Sequence, residues 1–197
     1  MNSWAETFAK NHSIQLRYET PLANNLTAYK YDDSAGAVVV IDSNMPSERQ
    51  NFALSHETAH ILLGHSGEID PVEEQEANRL ASELLLPESE FAPEAWRDLR
   101  ELRELFSHAS FEAIGRRRLA FVDGVLTIVD NGKLTRRLSS ELFSAPPSPT
   151  KIEWDLILQS FKERRDMSMS AEGIRFSATY VDEGRGVERV LLTGEEA

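Results

Sequence analysis

Ser55-His56-Glu57-Thr58-Ala59-His60 lies between Phe52-Ala53 and Ile61-Leu62-Leu63, in a stretch whose apolar residues recur at helical spacing. A helix turns about 100° per residue, so positions four apart return to nearly the same face, roughly 6 Å further along. His56 and His60 therefore aim two imidazoles at one point, and Glu57 lies beside them. Two ring nitrogens so arranged can share one ion at about 2.0 Å. The neighbouring carboxylate is placed to take a proton from water. The pattern also occurs by chance on ordinary amphipathic helices, so the decision rests on what surrounds it.

Working outward, Ser47 with Gln50 three residues on reads as a capping box opening this helix, and Gly64 as its stop. Asp70-Pro71-Val72-Glu73 is a second start signal, and that helix should end near Leu86, before Pro87. Its first half carries three glutamates. Glu73 sits where it can fold back on the Asp70 cap, and Glu76 shares a solvated face with Arg79 and Glu83. Glu74 heads a stripe of Ala77, Asn78, Ala81, Leu84 and Leu85 at inward spacing. A carboxylate there is costly to bury without a cation. The chain has no cysteine, so a metal must be held by His and carboxylate. Two histidines and Glu74 leave a fourth position for water, the catalytic rather than structural pattern of zinc.

The rest of the chain is read more coarsely. A helix over 3–11 packs Trp4 and Phe8. Leu26–Tyr31 and Ala37–Ile41 are strands, the second a β-branched run expected to be buried on both faces. A third helix after Pro93 is expected to align Trp96, Leu99, Leu102 and Phe106, and Ser110 to cap a short fourth through Leu119. Phe121-Val122 and Val125–Val129 follow as strands around tight turns, then a linker at Ala145–Pro149. A helix over 151–164 and a hairpin of Ile174–Val181 with Val187–Leu192 complete it. His65 is read as a helix-end histidine, Arg116 and Arg117 as a solvated helix face, and Tyr29 and Tyr31 as packing residues before oxyanion donors.

Net charge is −12, and residues 1–90 hold 5 Lys and Arg against 15 Asp and Glu. Such a chain is repelled by phosphate, so direct nucleic-acid binding is disfavoured and a basic protein partner favoured. With no signal-like segment and no long apolar run, no membrane span is expected, and the cytoplasm is the default location.

The run Arg49-Gln50-Asn51-Phe52, His56-Glu57-Thr58-Ala59-His60, then Glu74-Gln75-Glu76-Ala77-Asn78 and Leu84-Leu85-Leu86-Pro87 resembles the ImmA/IrrE family of metallopeptidases. The likeness spans about residues 26–145, with Leu86 where Met is common. It implies an α+β, zincin-like core: a small sheet, the HExxH helix and a following Glu-bearing helix. It implies zinc on His56, His60 and Glu74, with Glu57 as base. It also implies peptide-bond hydrolysis in a helix-turn-helix transcriptional repressor. The expected organisation is a peptidase domain over 1–145 and a small extension over 150–197, built of a helix and a β-hairpin. Two other functions fit the residues: a metal-binding module that grips a repressor without cutting it, and a small-amide hydrolase.

Overall fold

The computed structural model describes residues 4–20, 22, 26–65, 70–184 and 186–196, in an α+β fold with two sheets. Its contacts divide into two units: Met1–Glu88 with Phe106–Ser110, and Ser89–Leu105 with Phe111–Ala197.

The first unit opens with α1 (Trp4–Asn11), then strands β1 (Gln15–Glu19), β2 (Ala28–Asp33) and β3 (Gly36–Asp42). Their order is β1-β3-β2, with β1 parallel and β2 antiparallel to the centre strand. Val38, Val39, Val40 and Ile41 expose no surface, as a central strand covered on both faces requires. Val39 and Ile41 join Phe8 of α1 and Leu54 of the next helix in one core, while Val38 and Val40 pack on Leu22 and Tyr29. Strand β1 was not anticipated. It is short, polar and half-exposed, and its alternation is too weak to read without its partner.

Helix α2 (Ser47–Leu63) ends at Gly64, which takes the left-handed conformation. Its start differs from expectation. Pro46 is the N-cap, Ser47 is already helical, and its hydroxyl donates to Glu48. The Gln50 amide instead donates back to the Met45 and Ser43 carbonyls, at 2.8 and 3.3 Å. Helix α3 (Pro71–Leu85) starts as read: the Asp70 carboxylate accepts from the Val72 amide at 2.7 Å, with Pro71 in the first turn. Of its inward stripe, Ala77, Ala81 and Leu85 are buried, Leu84 is half-buried, and Asn78 is exposed. His108 closes this unit. Its ring bonds the Leu85 carbonyl at 2.9 Å, and its own carbonyl accepts from the buried Asn51 amide.

The second unit contains α5 (Leu99–Leu105), α6 (Phe111–Arg118) and α7 (Lys151–Glu163); the short α4 (Glu88–Phe91) leads into it. The helix expected after Pro93 is broken. Asp98 and Glu101 form a reciprocal cap, so α5 begins only at Leu99. Trp96 falls outside the helix, is 65% exposed, and has Arg97 over its ring. Strands β4 (Gly124–Asp130), β5 (Lys133–Ser139), β6 (Met167–Ala171), β7 (Ile174–Asp182) and β8 (Glu188–Glu196) form one antiparallel sheet, β5-β4-β8-β7-β6. Gly124 opens β4, where a side chain would strike the Gly194 carbonyl. The expected partition at residues 145–150 does not follow this sheet. The C-terminal hairpin gains a third strand, β6, and joins β4 and β5 through the β4–β8 pairing. Residues on either side of the proline-rich stretch thus share one core, of Val129, Leu156, Ile157, Phe176 and Leu192.

Of the two arginines expected on a solvated face, Arg116 is half-buried and Arg117 buried, and Arg118 beside them is buried too. Arg117 lies over the Phe121 ring, and Arg118 donates to the Ala95 carbonyl at 2.8 Å and pairs with Glu195. An arginine so engaged is withdrawn from any phosphate patch.

Candidate metal centre

Two packed helices build the site. Ala59 of α2 and Ala77 and Ala81 of α3 form a small cluster with no exposed surface. Residues without side-chain bulk let two backbones approach closely. The first turn of α3 then reaches the middle of α2.

There the Nε2 atoms of His56 and His60 lie 3.1 Å apart. The Glu74 carboxylate brackets them, with Oε2 at 3.4 Å from His56 and Oε1 at 3.3 Å from His60. Two ring nitrogens this close must share a proton or an ion. Donors of a tetrahedral site with bonds of about 2.0–2.1 Å lie about 3.3 Å from one another, which is the spacing of these three groups. Among the described residues, His56, His60 and Glu74 are the group whose donors could hold one metal ion. Nitrogen and carboxylate donors without thiolate fit zinc.

Burial lowers the proton affinity of both rings. For His56 desolvation dominates, opposed by Glu74 and the Asn78 amide. For His60 desolvation is joined by His56, and Glu74 again opposes. Neutral imidazoles are the form a metal needs. Glu57, half-buried on the same helix, is pushed up to about 7, chiefly by burial, with Lys30 opposing and Glu74 adding. A carboxyl poised there can both accept and return a proton near neutrality.

Sequence reasoning underread His65. Its Nδ1 lies 2.9 Å from His60 Nδ1, and its carbonyl accepts from Lys30 Nζ at 3.1 Å. The signal was the Gly64-His65 pair directly after the helix. Glu76, expected on the solvated face, is half-exposed but lies 3.6 Å from His65 Nε2. The Tyr31 hydroxyl accepts from Arg17 at 2.7 Å, and Tyr29 packs on the sheet.

The family model described as the IrrE N-terminal-like domain, Peptidase M78, matches residues 9–118. The chain belongs to this family. Its name marks it as a family of peptidases, and the match covers α2 and α3 with all three residues that could hold a metal ion. A solved structure described as a Mycobacterium tuberculosis transcriptional regulator is similar over 98% of this chain and 68% of its own, with a TM-score of 0.68. At 16% identity that likeness speaks for the fold. No curated protein matches the chain. No helix among the described residues is long and apolar enough to cross a membrane.

Proposed function

We propose that this chain is a zinc-dependent peptidase on a zincin-like core that hydrolyses a peptide bond in a regulatory protein, with a helix-turn-helix transcriptional repressor as the substrate class. One observation carries the reading: three neutral-nitrogen and carboxylate donors converge from α2 and α3, with a proton-accepting carboxyl one residue from the first of them. When bound, zinc would supply a Lewis acid that activates water and polarises the scissile carbonyl. His56, His60 and Glu74 would hold it. Glu57 takes the proton of the attacking water and returns it to the leaving amine. The flanking helix α3 carries Glu74 to the two histidines.

The substrate class is supported by the resemblance of the motifs to ImmA/IrrE peptidases. The same reading has the protein work in the cytoplasm, without binding nucleic acid itself, because a net charge of −12 opposes phosphate.

The deciding experiment incubates wild type and Glu57→Gln with purified helix-turn-helix regulators from the same genome. Both should hold about one zinc per chain, and only wild type should cut. Cutting by Glu57→Gln at the wild-type rate removes Glu57 as base. Tight binding of a regulator by a zinc-loaded wild type that never cuts it selects the non-cleaving module instead.

A further inference from the structure

The end of α2 is closed in a way that brings two histidines together. Gly64, with φ 70°, donates its amide to the Ile61 carbonyl, and the His65 amide donates to the His60 carbonyl at 3.0 Å. These are the two bonds of a Schellman motif, whose geometry sets the side chain after the glycine against the one five residues earlier. That contact is usually apolar. Here it is His65 on His60, with rings edge to face at 4.9 Å and facing Nδ1 atoms at 2.9 Å. The His65 side chain is only 7% exposed, and Lys30 Nζ grips its carbonyl. A histidine so closely held is not a loosely attached helix-end residue.

Resting on the metal site proposed above, we infer that His65 is a positioning residue for His60: it accepts the His60 Nδ1 hydrogen and so keeps the Nε2 lone pair aimed at the metal. The hydrogen count leaves one arrangement. A ring that ligates through Nε2 carries its hydrogen on Nδ1. Only one of two facing Nδ1 atoms can carry a hydrogen, so His65 Nδ1 is the acceptor and its own hydrogen sits on Nε2. That atom faces Glu76 Oε2 at 3.6 Å, an electrostatic approach rather than a hydrogen bond. The ordered chain is Glu76, His65, His60. Outer partners of this kind fix a ligand's tautomer and ring plane, and losing one typically lowers metal affinity about 10- to 100-fold.

The test compares His65→Leu, which fills space without accepting, with His65→Asn, whose Oδ1 stands near the position of Nδ1. Zinc affinity is measured by competition with a chromophoric chelator, and the ligand field by the visible bands of the cobalt-loaded protein. Thermal melting of the metal-free forms checks folding. His65→Leu should weaken zinc binding by about 10- to 100-fold and shift the cobalt bands, while His65→Asn recovers most of both. Glu76→Gln should cost only a few-fold. Wild-type affinity and bands in His65→Leu overturn the inference. Equal losses in both variants also overturn it, by reducing His65 to packing. A wild type that binds no zinc defeats the site reading and the inference together. Tight zinc in wild type, weakened in His65→Leu, with no cutting by either, leaves the positioning role standing and defeats the peptidase reading alone.

Discussion

Ala59 of α2 and Ala77 of α3 lie in one cluster, each with no exposed surface, and this contact sets how far Glu74 must reach to meet His56 and His60. Glu74 stands one turn before Ala77, so the small-residue seam is part of the metal site without touching it. Ala77→Leu should cost about 1–3 kcal/mol by overpacking. By pushing the first turn of α3 outward it should also weaken zinc binding at least tenfold. Chelator competition and denaturant melts on the same sample check this. Loss of stability with unchanged zinc affinity would show that the helices re-pack without moving Glu74.

Glu73, Glu74 and Glu76 of α3 separate cleanly by position. Glu74→Ala should lower zinc affinity by orders of magnitude, because a ligand is removed outright. Glu76→Ala should stay within a few-fold, since its carboxylate is half-exposed and approaches only His65. Glu73→Ala should leave zinc alone and cost at most about 1 kcal/mol of helix stability. Metal content after dialysis against a chelator decides between them. Retention in Glu74→Ala with loss in Glu76→Ala would reverse the ligand assignment.

In the second unit, Arg137 and Glu153 form a doubly bonded pair at 2.9 and 3.2 Å, with 7% and 2% of their side chains exposed. Glu153 also accepts from the Thr150 amide, completing the capping box of α7. Glu153→Ala strands a buried guanidinium and loses the cap, so it should destabilise this unit by about 3–5 kcal/mol. The double variant Arg137→Met, Glu153→Leu should recover much of that loss, because no charge is left unpaired. Urea unfolding of the two variants gives the comparison, and a double variant worse than the single would contradict it.

Acid sensitivity has a contributor away from the metal. His12 packs on Phe8, with ring centroids 4.4 Å apart, and burial holds it below its ordinary value of 6.5. The folded state therefore binds this proton less readily than the unfolded chain. The contribution is fully present above pH about 6.5 and is lost as pH falls toward the folded value. His12→Phe removes the titration. Comparing metal-free wild type with metal-free His12→Phe, the stability difference should be flat from pH 8 to 7 and shift in favour of the variant by pH 5. Parallel curves down to pH 5 would mean that His12 takes up its proton without cost.

Some of this was legible and some was not. Helices α2, α3 and α7 were readable as helices, and the end of α2 and the start of α3 with them, because a periodic face, Gly64 and Asp70-Pro71 are local signals. The Ser47 cap failed because Pro46 takes the N-cap position and Gln50 finds nearer carbonyls upstream. Trp96 was misread as part of one helical face because Asp98, two residues on, restarts the helix with its own cap. His65 was passed over because its partner is chosen by the helix-end motif, while the expectation weighed only spacing along the helix.

By itself the sequence determined the Val38–Ile41 centre strand, the HExxH helix, the glutamate on the next helix, and the absence of thiolate ligands. Each follows from bonds and spacings within a few residues of chain. Only the tertiary structure decided that β1 lies parallel to β3, and that β8 joins β4 in one five-stranded sheet. It alone withdrew Arg118 to Glu195 and turned His65 onto His60. Strand pairing and the burial of a charge depend on partners supplied from elsewhere in the fold. A weakly patterned strand or an arginine looks the same in sequence whether or not that partner arrives.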